Sequence, residues 1–136
     1  MHIKLNKHII FFSSEYIYDG KKGNYEENNE ANPILLYGKQ KLEIENFLKN
    51  ETDNFTILRI AKTYGSVLND RTLFTNWLNQ LSNNNVKEVK CAFDQYFSPI
   101  FSLDLVKILD FFLLNNIKGI YNVGGPKTQS RLDCLN

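Results

Sequence analysis

SSEYIYDGKKGNYEENNEANPILLYGKQKLEIE, residues 13–45, decides how this chain is read. It looks like the end of a strand, a polar loop and a helix that opens at Asn32-Pro33. Asn32 is a good N-cap, and Pro33 suits the first helical position because its missing N–H would lack a partner there anyway. The spacing predicts a helix running to about Lys49, with Tyr37, Lys41, Ile44 and Leu48 on one stripe. Tyr37 and Lys41 stand four residues apart, so on a helix they point the same way. Ser13 and Ser14 leave the preceding strand as potential hydroxyl donors. A hydroxyl at a strand end facing a Tyr-Lys pair is a proton-transfer constellation.

Spacing alone is a weak signal. In a chain of this composition about two-thirds of a Tyr-x-x-x-Lys match arises by chance. Tyr18 and Lys22 form a second match, but in a glycine-containing loop a spacing of four places nothing on a common face. On spacing alone, a half-buried tyrosine beside a solvated lysine is the commoner outcome. Only the Tyr37–Lys41 pair has the helical context. There, an ammonium near a phenol favours the phenolate, and the pair becomes a workable acid–base group.

Working outward, residues 8–12 form a short run rich in Ile and Phe, which suits a strand buried on both faces. Residues 16–31 carry Asp19-Gly20, Gly23 and an acidic Asn/Glu cluster, the composition of a long turn-rich loop. Phe55 to Ile60 is a second strand, followed by Tyr64-Gly65. Phe74, Trp77, Leu78 and Leu81 repeat at helical spacing, and that helix stops at Ser82-Asn83-Asn84-Asn85. Val89, Cys91 and Phe93 alternate as in a strand. Residues 94–101 form a loop centred on Ser98-Pro99. Leu105, Ile108, Leu109 and Phe112 mark another helix, and residues 120–123 a strand closed by Gly124-Gly125-Pro126, read as a simple turn. Strands alternating with helices of this length indicate an α/β fold with a parallel sheet.

Composition narrows the function. The chain has 136 residues and a formal net charge of +1, with both signs interspersed, so no nucleic-acid footprint or membrane-surface patch is expected. The apolar runs are too short to span a bilayer, and the opening Met1-His2-Ile3-Lys4 lacks the apolar core of a signal peptide. A cytoplasmic location is the default. Cys91 and Cys134 are too few for a disulfide framework, and His2 and His8 have no neighbouring ligand types, so no metal site is expected and both histidines are read as surface residues.

Several motifs fall in the order of one superfamily. Ser13-Ser14-Glu15-Tyr16-Ile17-Tyr18-Asp19-Gly20 is followed by Gly23-Asn24-Tyr25-Glu26-Glu27, Pro33 and Tyr37-Gly38-Lys39-Gln40-Lys41-Leu42-Glu43-Ile44-Glu45. Leu58-Arg59, Tyr64-Gly65, Asp94-Gln95 with Ser98-Pro99, and residues 119–125 come after them. This pattern resembles the extended short-chain dehydrogenase/reductase superfamily, in its dTDP-4-dehydrorhamnose reductase branch. The resemblance implies a Rossmann-like parallel sheet and NAD(P)H-dependent reduction of a keto-sugar nucleotide, as in dTDP-rhamnose biosynthesis. It implies Ser14 as the hydroxyl on the substrate carbonyl, Tyr37 as the acid, and Lys41 as the residue that tunes Tyr37 and holds the nicotinamide ribose. Ser13, Tyr37 and Lys41 would face the NADPH or NADH cofactor, and Tyr16, Lys62 and Gln95 the nucleotide-sugar substrate.

The chain also departs from that pattern. Its seven glycines contain no Gly-x-x-Gly-x-x-Gly, the turn whose backbone cradles a dinucleotide pyrophosphate. Residues 1–136 are therefore read as a single, incomplete catalytic and substrate-side portion, lacking the N-terminal dinucleotide-binding βαβ. It is expected to turn over little alone and to associate with a separate N-terminal half or with its own copies. Lys62 stands where the rhamnose-pathway reductases tend to carry a tryptophan, which leaves the sugar open. A sugar-nucleotide epimerase or dehydratase, or a non-catalytic regulatory or scaffold relative, are the competing readings.

Overall fold

The run Phe-Thr-Ile-Leu-Arg-Ile, β-branched or apolar at five of its six positions, forms the middle strand of a three-stranded parallel sheet. The computed structural model describes residues 7–67, 72–83 and 88–135. Their elements are, in chain order, β1 (Ile9–Ser14), a 3-10 turn (Glu15–Ile17), α1 (Leu36–Glu51), β2 (Phe55–Ile60), β3 (Thr63–Tyr64) and α2 (Leu73–Leu81). After them come β4 (Tyr96–Phe97), β5 (Ile100–Phe101), α3 (Ser102–Leu114), β6 (Gly119–Val123) and β7 (Gln129–Ser130). The chain divides into two compact units, with boundaries after Ile60, Lys107 and Val123.

The first unit holds the sheet, ordered β1-β2-β6. β2 pairs in parallel with both neighbours; Ile57 lies opposite Phe11 on one side and Ile120 on the other. Being central, β2 is the strand buried on both faces: Thr56, Ile57, Leu58 and Arg59 are all buried. Burial of an Ile or Leu side chain stabilises by about 1.5–3 kcal/mol, so Ile57 and Leu58 anchor this layer. The same double burial was expected of residues 8–12. Instead Ile9, Ile10 and Phe11 are half-buried and Phe12 is exposed. Among the described residues β1 is the sheet's outer strand, so only its C-terminal Ser13 and Ser14 are fully covered.

α1 also departs from its expected bounds. It begins at Leu36 rather than at Pro33, and its N-cap Leu35 makes no side-chain capping bond. Asn32 does not cap the helix; its amide donates to Asp19 Oδ2 (3.3 Å). The buried side of α1 carries Gly38, Glu45 and Leu48, with Lys41 and Leu42 half-buried. Ile44, placed on the inward stripe by apolar spacing, is exposed. A charged residue, Glu45, occupies the centre of the buried face, and hydropathy cannot foresee that. Phe112 of α3 is buried in this unit, edge-on to Tyr121 at 4.8 Å.

The second unit is built on aromatic packing. Phe74 of α2 lies 5.0 Å from Tyr64 and 5.7 Å from the buried Trp77, and Tyr64 lies 5.4 Å from Phe101. β3 pairs in parallel with β5, and β4 antiparallel with β7. Residues 94–101, expected as a plain loop, therefore contain two short strands. Val89, Cys91 and Phe93, expected to alternate in a strand, lie in irregular chain. The Gly124-Gly125-Pro126 turn is more constrained than its sequence suggests. A Cβ on Gly125 would stand 1.9 Å from the Pro99 carbonyl oxygen, so only glycine permits this backbone contact.

His8 is half-buried rather than a free surface residue, and its Nε2 lies 2.7 Å from Thr56 Oγ1. His2, and the Asn84 and Asn85 of the expected helix stop, lie outside the described residues. Among the described residues no helix is long and apolar enough to cross a membrane.

Candidate active site

Three segments of the first unit meet at the C-terminal end of β1. The first is β1 itself, ending in Ser13-Ser14. Ser14 is buried, and its Oγ accepts a hydrogen bond from the Tyr16 N–H (3.3 Å), capping the 3-10 turn. Because the oxygen is the acceptor there, its O–H proton remains available to a further acceptor. Ser13 turns the other way, and its hydroxyl donates to Glu45 Oε1 (2.5 Å).

The 3-10 turn is the second segment. It presents Tyr16, whose ring meets Tyr37 edge to face at 6.2 Å. Tyr37 is 49% exposed, so its phenol is open to an incoming molecule. The third segment is α1. Lys41 Nζ donates to the Phe12 carbonyl (2.8 Å), and lies 4.9 Å from the Phe11 ring centre and 5.5 Å from that of Tyr37. An ammonium has three donors, so this tether leaves Lys41 able to hold a second acceptor. Ser14, Tyr16, Tyr37 and Lys41 thus belong to one unit and one end of one strand.

Glycine explains how α1 comes so near. A Cβ on Gly38 would fall 2.1 Å from the Tyr16 carbonyl oxygen and 2.9 Å from Pro33 Cβ. The helix therefore lies directly against the backbone of the turn, one residue after Tyr37. Gly38→Ala is expected to cost about 1–3 kcal/mol by overpacking and to separate Tyr16 from Tyr37. Denaturant midpoints check the first effect, and ring-to-ring NOEs the second.

Beneath these residues lies a polar cluster that sequence reading missed. Arg59 of β2 is 4% exposed, and Glu45 is fully buried. Arg59 Nη2 donates to Glu45 Oε2 at 2.8 Å, and Nε lies 3.2 and 3.3 Å from the two carboxylate oxygens. Nη1 donates to the Tyr18 hydroxyl (2.7 Å) and the Glu27 carbonyl (2.9 Å). Asn122 of β6 completes the cluster, lying 3.1 Å from the Tyr18 hydroxyl and donating to the Tyr25 carbonyl at 2.8 Å. Burial opposes the charge on Arg59, but its hydrogen bonds to the Glu45 carboxylate, that carboxylate's charge and Tyr18 outweigh it and hold the guanidinium above its ordinary pKa. The available signal was an Arg inside an apolar strand, with a Glu one helical turn past Lys41.

The loop after Tyr18 is organised by Asp19. Its carboxylate accepts from the Tyr25 hydroxyl (2.5 Å), the Lys21 N–H (3.1 Å) and Asn32. Tyr25, followed by Lys21, holds the Asp19 pKa below the usual aspartate value of 3.8. A lowered native pKa means that the unfolded chain binds more protons in that window. The stabilisation is therefore full above the ordinary value and is lost as pH falls through the native one. Acidification below about pH 4 is expected to loosen this loop, read as loss of the ring-current shifts of the stacked Tyr18–Tyr25 pair.

Lys62 and Gln95 belong to the second unit. The Lys62 carbonyl accepts from the Ile100 N–H (2.9 Å), and the Gln95 carbonyl from the Arg131 N–H (3.1 Å). The Gln95 side chain is exposed and that of Lys62 half-buried.

The parallel sheet, the hydroxyl at its strand end and the Tyr-x-x-x-Lys helix define a Rossmann-like protein of the extended short-chain dehydrogenase/reductase class. The RmlD substrate binding domain family matches residues 3–135, and the chain belongs to that family. It is 32% identical over 108 residues to dTDP-4-dehydrorhamnose reductase of Aggregatibacter actinomycetemcomitans, covering 79% of this chain and 35% of that protein. It is 28% identical over 135 residues to methionine adenosyltransferase 2 subunit beta of Xenopus tropicalis, covering 92% of this chain and 39% of that one. Among solved structures, a dTDP-4-dehydrorhamnose reductase from Clostridium acetobutylicum superposes with a TM-score of 0.79 at 27% identity, covering 90% of this chain and 42% of that one. A UDP-glucuronic acid 4-epimerase from Bacillus cereus, in complex with UDP-glucuronic acid and NAD, gives 0.77 at 27% identity, covering 97% and 44%. The chain thus spans less than half the length of each of these relatives.

A nicotinamide cofactor fits this site in part. The open face of Tyr37 and the remaining donors of Lys41 suit the ribose end. The sequence holds no Gly-x-x-Gly-x-x-Gly turn for the pyrophosphate.

Proposed function

We propose that this chain carries the acid–base and substrate-side part of an NAD(P)H-dependent reductase acting on the ketone of a nucleotide-linked sugar. The observation that carries the reading is the placement of Tyr37 and Lys41 on one helix, tethered through the Phe12 carbonyl to the strand that ends in Ser14. Tyr37 and Lys41 would hold the nicotinamide ribose, and the cofactor, when bound, supplies the hydride. Ser14 would donate its O–H to the substrate carbonyl oxygen and favour charge development there. Tyr37 would deliver the proton to that oxygen, with the Lys41 ammonium beside it favouring the proton's departure. Tyr16, edge-on to Tyr37, would flank the sugar; a substrate role for Lys62 and Gln95 rests on the family resemblance alone.

Ser13 is assigned to the cofactor side through its position beside Ser14, although its hydroxyl is engaged by Glu45. The dinucleotide pyrophosphate would be held by a Gly-rich segment outside this sequence. The isolated chain is therefore expected to bind NADH and NADPH weakly and to turn over little or nothing. Robust NADPH-dependent ketone reduction by the 136 residues alone would refute that division of labour. The activity itself is tested by joining this chain to the N-terminal dinucleotide-binding segment of a dTDP-4-dehydrorhamnose reductase. The chimera is expected to oxidise NADPH or NADH with a dTDP-4-keto-sugar. Binding of both ligands without hydride transfer would contradict the reading.

A second reading, a non-catalytic subunit, is favoured by the similarity to methionine adenosyltransferase 2 subunit beta across most of this chain. Tyr37→Phe separates the two: a reductase loses turnover, whereas a scaffold keeps its partner.

A further inference from the structure

The Glu45–Arg59 pair is joined to the first-unit segments that present Ser14, Tyr16 and Tyr37. Ser13 beside Ser14 donates to Glu45. Tyr18, directly after the 3-10 turn that carries Tyr16, accepts from Arg59 Nη1. Glu45 itself lies on α1, four residues beyond Lys41 and eight beyond Tyr37. Arg59 sits in the register of β2 that faces Ser13 on one side and Asn122 on the other. One buried ion pair thus links β1, the turn, the loop and the helix.

From this we infer that Glu45 and Arg59 are positioning residues: their buried ion pair sets the mutual placement of Ser14, Tyr16 and Tyr37. Geometry makes Arg suited to the task. Its planar fork engages the carboxylate through Nε and Nη2 while Nη1 reaches the turn, so both segments are referenced to one rigid group. A lysine head group is a single point charge and cannot hold both in fixed directions. Hydrophobic packing would hold α1 on the sheet equally well, but without fixing its rotation or its height against the turn. An ion pair of this kind is weak evidence for stability and better evidence for specificity of arrangement.

The inference rests on the reading of Tyr16 and Tyr37 as site residues, but its test needs no turnover. The 136-residue chain, labelled at tyrosine, is compared with the double variant Glu45→Leu/Arg59→Met. The readouts are the Tyr16–Tyr37 ring NOEs, expected from rings 6.2 Å apart, and amide exchange of Ile57 and Leu58. Loss of the NOEs with β2 still protected is the expected result. Retention of those NOEs in the folded double variant would overturn it and leave the pair a purely structural contact. Should that variant not fold, Tyr18→Phe decides, since it removes the hydroxyl that joins the turn to Arg59, along with its bonds to Asn122 and the Glu26 carbonyl, and leaves the Glu45–Arg59 pair in place: weakened NOEs support the inference, unchanged ones overturn it. An inactive chimera would sink the reductase reading and leave this result standing.

Discussion

Glu45→Ala, or Arg59→Ala, is expected to destabilise the chain by about 3–5 kcal/mol, because either substitution leaves the partner's charge buried without its close counter-ion; Lys49, 3.9 Å from Glu45 Oε2 and 36% exposed, replaces Arg59 only in part. Against a typical domain stability of about 5–15 kcal/mol, either single variant brings the fold near its limit. Glu45 has no solvent access, and the Arg59 side chain almost none, so water cannot screen the orphaned charge as it would at the surface. Replacing both residues with apolar ones of similar volume removes the desolvation cost together with the attraction. Such exchanges are often neutral or stabilising by about 1–4 kcal/mol. Here the gain will be smaller, since Ser13 and Tyr18 each lose a partner. Denaturant midpoints of the two single variants and the double variant check this. Single-variant losses below about 1 kcal/mol would mean that the pair is solvated.

Tyr37→Phe in the chimera is expected to lower turnover by roughly 10²- to 10⁴-fold, the usual contribution of a positioned general acid. The loss should fall on kcat rather than on KM, because the phenol's proton is needed only as the alkoxide forms. The ring remains, so its edge contact with Tyr16 survives and the fold is unaffected. Lys41 is less cleanly tested. Its ammonium also anchors α1 to the Phe12 carbonyl, so Lys41→Met disturbs position as well as charge.

Much of the architecture was legible because period and composition report burial directly. Phe55–Ile60 was expected as a strand and is one, with the same bounds. The helix around Phe112 and the strand at Tyr121 follow their apolar spacing; the helix around Trp77 forms as expected, but Leu78 and Leu81, read on its apolar stripe, are exposed. The misreadings share a cause. Local signals cannot see which group a polar side chain will choose. Asn32 looked like a helix cap, but Asp19 takes its amide, and α1 starts three residues later. Ile44 looked like core, yet it is exposed and Glu45, paired with Arg59, takes the buried face. Val89, Cys91 and Phe93 alternate, but β7 pairs with residues 96–97 instead. That Tyr37 and Lys41 share one face of α1 was readable from helical spacing. The polar cluster beneath them was not, since its members are drawn from five segments: β1, the 18–27 loop, α1, β2 and β6. Such contacts exist only once the sheet register is set.

The central claim is that this chain supplies the acid–base half of a nicotinamide-dependent reductase for nucleotide sugars. Hydride transfer by the chimera, followed as oxidation of NADPH or NADH with a dTDP-4-keto-sugar, tests it most directly when wild type and Tyr37→Phe are compared at saturating substrate. Turnover is expected for the wild type, with a loss of at least about 100-fold for the variant. A chimera that binds both ligands and transfers no hydride, or one whose turnover is indifferent to Tyr37→Phe, would contradict it.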